Sequence, residues 1–171
     1  MRFLRRALLF VPVFALGVVG ASLPTVSLGV NSTEFHATLN GYNETPSINT
    51  DGFATLKLHL DDATQTISFR LEYSGLSANP AAAHIHLGQQ HTAGGVMVFF
   101  CGGGGQPACP ASTSGVVSGL ITPANVVGPA AQGLAPGNMA AVFNAIRSDA
   151  AYANMHTSNF PSGEIRGQVK D

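Results

Sequence analysis

From residue 34 onward, apolar and polar residues alternate along most of the chain. Glu34 to Asn40 places Phe35, Ala37 and Leu39 on one face. Phe53 to Leu60 sets Ala54, Leu56, Leu58 and Leu60 against Thr55, Lys57 and His59. A side-chain period of two is that of a half-buried β-strand. Asp61-Asp62-Ala63-Thr64 interrupts the pattern, and Gln65 to Tyr73 resumes it with Ile67, Phe69, Leu71 and Tyr73 inward. Two such runs across a short polar turn predict an antiparallel hairpin. Further strands are predicted over Ala81 to Leu87, Val96 to Phe100, Gly115 to Thr122, Tyr152 to Thr157 and Gly163 to Lys170. Thr122-Pro123-Ala124-Asn125 combines a cap with proline at the first helical position and predicts a single turn. Asn138 to Ser148 carries Met139, Val142, Phe143 and Ile146 at three- and four-residue spacing, the one helical stretch. Many short strands with Gly/Pro turns indicate an all-β sandwich or barrel.

Composition narrows the function classes. The 171 residues are 10% charged, against roughly 25% in ordinary soluble domains. The formal net charge is −1, so no basic face for nucleic acid exists, and ordinary hydrophobicity excludes disorder. Part of the basic charge also sits outside the predicted fold. Arg2, Arg5 and Arg6 precede an apolar run from Ala7 to Ala21 that ends in small residues. That run contains Pro12 and falls short of the ~20 residues needed to span a bilayer, so residues 1–21 read as a cleaved secretory signal peptide. Residues 22–32 read as a flexible lead-in and 33–171 as one domain. Cleavage would leave 150 residues with five basic and nine acidic side chains, a net charge of about −4. The expected location is secreted, periplasmic or cell-surface, with no transmembrane segment after cleavage. In an oxidising compartment, Cys101 and Cys109, separated by a glycine-rich stretch, read as a structural disulfide.

Candidate chemistry centres on Ala83-His84-Ile85-His86-Leu87-Gly88. On a strand, His84 and His86 share a face about 7 Å apart, and both can reach one ion if a third ligand comes from a neighbouring strand. His156, on the same face as Tyr152 and Asn154, is the first candidate, and His91 in the following loop is the weaker one. Imidazole nitrogens suit Cu or Zn. The alternative is that the pair merely occupies a polar strand face. In the C-terminal stretch, Glu164, Arg166 and Gln168 share a face while Ile165 and Val169 point inward. Arg166 is expected to pair with Glu164, Glu44 or Glu72, as a sheet-organising ladder or as an anion-binding arginine. No nucleophile motif is present, and the glycine run 102–105 lacks the Lys-Ser/Thr of a phosphate loop.

These motifs belong to a longer ordered series. It runs Phe35-x-Ala37-x-Leu39-x-Gly41, Glu44-x-Pro46, Gly52 and Leu71-x-Tyr73-x-Gly75-Leu76. It continues through Ala83-His84-Ile85-His86-x-Gly88, Gly115 to Ile121, Tyr152-x-Asn154-x-His156-Thr157 and Gly163-Glu164-Ile165-Arg166-Gly167-Gln168. Over about residues 33 to 170 the series resembles the CHRD family, the domain named after chordin. Ser47, the stretch 147–151 and the cysteine-bridged glycine loop depart from the family pattern, and none touches His84, His86 or His156. The resemblance implies an extracellular β-sandwich, repeated in chordin, an antagonist of secreted growth factors, and found alone in exported microbial proteins. The growth-factor role does not carry over, because chordin's cysteine-rich modules are absent from the chain. The HxH strand is also similar to the copper-binding strand of Cu/Zn superoxide dismutases, whose chemistry wants four histidines at copper and an Asp-assisted zinc site.

The resulting expectation is an antiparallel, Greek-key-like β-sandwich with one short helix. Its expected role is a non-enzymatic binding or structural module with a Cu or Zn site at His84, His86 and His156. The alternative is a superoxide-dismutase-like copper enzyme. The expected partner is an extracellular protein or glycan, and not a nucleic acid.

Overall fold

A computed structural model describes residues 32–171, so the expected signal peptide and nearly all of the lead-in lie outside the described residues. The strands are β1 (Glu34–Asn40), β2 (Phe53–Asp61), β3 (Thr66–Ser74), β4 (Pro80–Leu87), β5 (Val96–Cys101), β6 (Gly115–Ile121), β7 (Ala151–Thr157) and β8 (Ile165–Gln168). One helix, α1 (Met139–Arg147), precedes β7, and a 3-10 turn spans Pro123–Asn125. The first three strands form the meander that alternation predicts, with Leu56 opposite Leu71, Leu58 opposite Phe69 and Leu60 opposite Ile67. The inward residue at each of these positions is buried.

All eight strands join one antiparallel sheet in the order β5-β4-β7-β8-β1-β2-β3-β6. The chain leaves β3, builds the β4–β5 hairpin at the far end of the order, and returns as β6 beside β3. A hairpin bypassed by a long return is the Greek-key relation. The end strands β5 and β6 pack against each other, so the two layers of the sandwich are drawn from one curled sheet. Helix α1 starts at Asn138, whose side chain accepts from the Ala141 N–H, and it buries Met139, Val142, Phe143 and Ile146. Among the described residues, no helix is long and apolar enough to cross a membrane.

The seam between β5 and β6 is stitched by the glycine loop. Cys101 and Cys109 are disulfide-bonded with a Cα–Cα distance of 4.9 Å, as their spacing suggested. Within that closed loop, Gln106 Nε2 donates to the Leu120 carbonyl on β6, and the Gly104 carbonyl accepts from Asn125 Nδ2 beyond it. Two short side-chain contacts thus join segments whose strands do not pair.

Glu164 organises the other end of the molecule and stands apart from Arg166. It sits just before β8, fully buried, and accepts from Thr157 Oγ1 (2.6 Å), Thr50 Oγ1 (2.7 Å), Ser77 Oγ (2.8 Å) and the Ser77 N–H (2.8 Å). Burial alone would raise its pKa, but these donors outweigh it and hold the carboxyl below its ordinary value of 4.5. A depressed carboxyl stabilises the fold above that value and loses its contribution as pH falls through the folded pKa. Glu164→Gln turns one acceptor into a donor facing hydroxyls, and is expected to cost about 1–3 kcal/mol at pH 7. The gap should narrow as pH drops below 4.5 in urea unfolding curves of the two proteins.

Candidate metal centre

The pairing of β4 with β7 places Ala82 opposite His156, His84 opposite Asn154, and His86 opposite Tyr152. Successive strand residues alternate faces, so these six side chains share one face while Ala83, Ile85, Ala153 and Met155 enter the core. Pairing of β4 with β5 shifts register between Ala83 and His84 and again between Ile85 and His86. The ring centroid of His84 lies 4.5 Å from that of His86 and 4.5 Å from that of His156. Each ring offers one nitrogen, and these three nitrogens lie within 4.8 Å of one another. Nitrogens bound to one ion at ~2.0–2.1 Å are at most about 4.2 Å apart, and about 3.4 Å apart around a tetrahedral ion, so side-chain rotations that close the widest pair by about 0.6–1.4 Å are needed to complete the set.

Hydrogen bonding determines which nitrogens are free. His86 Nδ1 bonds the Gly94 carbonyl at 2.8 Å, and His156 Nδ1 bonds the Pro161 carbonyl at 2.9 Å. A carbonyl only accepts, so each Nδ1 carries the proton and each Nε2 presents a lone pair. Those two Nε2 atoms and His84 Nδ1 are buried with no protein partner. Burial holds the His84 pKa at about 2, with His86 and His156 adding to the effect. Burial also takes His86 to about 4 against the pull of the Gly94 carbonyl, and lowers His156. All three rings are therefore neutral near pH 7, the form that ligates metals. A backbone carbonyl behind the ligating ring is the usual outer support of a metal-bound histidine.

Aromatic walls flank the cluster. Phe99 meets the His84 ring edge-on at 5.0 Å. Its other side lies against the glycine loop, where a Cβ on Gly103 would fall 2.6 Å from the Phe99 ring. Tyr152 stacks on His86 at 4.6 Å and an interplanar angle of 5°. The Arg166 guanidinium covers the opposite Tyr152 face, 3.4 Å from the ring centroid. Ring, ring and guanidinium form one layered stack.

Arg166 departs from expectation. It forms no ion pair with Glu164, Glu44 or Glu72; Glu72 is exposed and pairs with Arg70 instead. The Arg166 Nη2 group donates to the carbonyls of Gln89 (3.1 Å) and Thr92 (2.7 Å), clamping the loop after β4. The same loop is held by Tyr152, whose hydroxyl accepts from the Gly94 N–H. His91 belongs to this loop but is exposed with φ of 62° and stays outside the cluster. Glu164 and Arg166 therefore act in different places, because Glu164 precedes the strand and turns toward Thr50 and Ser77.

Asn154 completes the face. Its Nδ2 donates to Glu44 Oε1, while Oδ1 is buried without a partner. Burial pushes the Glu44 carboxyl up to about 7, with the Arg166 charge, the Thr45 N–H and the Asn154 amide pulling the other way. Gly163, at φ of 127°, packs on this pair; a Cβ there would fall 2.5 Å from both Asn154 Nδ2 and Glu44 Oε1. The roles of Tyr152 and Asn154 were open to inference from their two-residue spacing with His156. Phe99 gave no such sign, since an apolar residue on a buried strand looks like any other.

Arg166→Lys tests the clamp, because an ammonium cannot lie flat on Tyr152 and reach two carbonyls together. The expected result is a loss of about 1–2 kcal/mol, with amides of residues 89–95 exchanging faster in hydrogen-exchange measurements.

Comparison with known proteins bears on the whole described domain. No curated protein and no solved structure gives a significant match. Residues 35–169 match the CHRD domain, and that span includes His84, His86, Asn154, His156 and Arg166. The chain belongs to the CHRD domain family.

Proposed function

We propose that this protein is an exported binding or structural module that holds one Cu or Zn ion through His84, His86 and His156. The observation that carries this reading is the set of three buried ring nitrogens without protein partners, gathered on one strand face. A buried polar atom left unpaired costs roughly 1–3 kcal/mol, and a cation among three lone pairs would remove that cost. Neutral imidazoles suit Zn and Cu in particular. Export is supported by the predicted signal segment and by the disulfide, which persists in oxidising compartments.

A dismutase-type enzyme fits less well. The cluster holds three histidines and no aspartate, and among the described residues His36, His59 and His91 stand outside it.

Protein purified without a histidine tag, stripped with chelator and dialysed against Zn²⁺ or Cu²⁺, is expected to retain about one ion per chain. Replacing His84 by Ala, or His86 by Ala, is expected to abolish retention in elemental analysis. Uptake unchanged in both variants, or absent from the wild type, contradicts the reading.

A further inference from the structure

We propose that Asn154 is the fourth donor of this centre, which makes it a closed His₃–amide site for a divalent ion. The inference rests on reading the three histidines as ligands. Asn154 stands directly across from His84 on the neighbouring strand, two residues before His156 and two after Tyr152, on the shared face. It is 3% exposed. One end of its amide is satisfied, since Nδ2 donates to Glu44, and that bond sets which way the amide faces. The other end, Oδ1, is an acceptor with no donor to meet it.

Four buried atoms without protein partners therefore belong to one strand face: Nδ1 of His84, Nε2 of His86 and His156, and the Asn154 amide oxygen. Acceptors cannot satisfy one another, and a cation among them satisfies the whole set at once. Glu44 and Gly163 are positioning residues. Glu44 anchors Nδ2, and Gly163 leaves the space into which the Glu44–Asn154 pair fits.

The donor set also bears on metal class and role. An amide oxygen is a hard donor and the soft sulfur ligands that select Cu(I) are missing from the set, so Zn²⁺ or Cu²⁺ fits better. A tetrahedral ion with four protein donors has no open position, and closed sites are structural where catalytic ones keep a solvent ligand. His₃–amide coordination thus assigns the ion to holding β4, β7 and their flanking loops together.

Co²⁺, a coloured stand-in for Zn²⁺, tests the assignment in wild-type protein, Asn154→Leu and Asn154→Ala, each challenged with azide. The wild type is expected to show intense four-coordinate visible absorption that azide leaves unchanged. Both variants are expected to bind Co²⁺ at least about tenfold more weakly, with spectra that azide shifts because solvent now holds the fourth position. An azide shift in the wild type as large as in the variants would overturn the fourth-donor assignment while leaving the histidines as ligands. Equal affinity and equal spectra in all three proteins would do the same. Failure of the wild type to bind Co²⁺, Zn²⁺ or Cu²⁺ would instead remove the histidine reading beneath it. The azide response of the wild type decides the matter whether or not either variant folds.

Discussion

The antiparallel pairing of β4 with β7 is the contact on which the site depends. Its register sets His84 against Asn154 and His86 against Tyr152, and brings His156 diagonally beside His84. A slip of one residue would send all of these side chains to the core face and bring Ala83, Ile85 and Met155 outward. That slip is opposed by the core itself, where Ala83, Ile85, Ala153 and Met155 are fully buried. The hydrophobic half of each strand therefore enforces the position of the polar half. Packing and candidate chemistry are two faces of one ladder.

Around that ladder, each ligand candidate has its own support. Carbonyls of Gly94 and Pro161 fix the tautomers of His86 and His156, and Phe99 walls His84. Phe99 rests on glycines of a loop closed by the Cys101–Cys109 bond, so the disulfide reaches the site through one aromatic ring. On the other side Arg166, Tyr152 and His86 stack in sequence, and Arg166 holds down the loop that supplies the Gly94 carbonyl. These groups hold in place several buried polar atoms that have no protein partner. Folds retain such groups where something else satisfies them.

Much of this was legible from residue order, because both relevant periods are short. Alternation located β1 as observed and the other strands of the meander to within a residue, and the 3.6-residue spacing located α1 between its caps at Asn138 and Ser148. The same period of two placed His84 with His86, and Tyr152 with Asn154 and His156. It could not say what Arg166 would bind, since its partners are backbone carbonyls 74 and 77 residues away in sequence. Carbonyls carry no residue-specific signature. Nor could it separate Glu164 from Arg166, because the strand begins two residues later than alternation suggested, at Ile165 rather than Gly163. Closure of one sheet on itself was likewise invisible locally, as β5 and β6 meet through a loop rather than through pairing.

The most direct test of the central claim is the anomalous scattering of crystals of the zinc-loaded protein, collected on both sides of the zinc edge. The account predicts one strong peak about 2.0–2.1 Å from Nε2 of His86, Nε2 of His156 and a ring nitrogen of His84. A peak at other side chains, or none at saturating zinc, would contradict it.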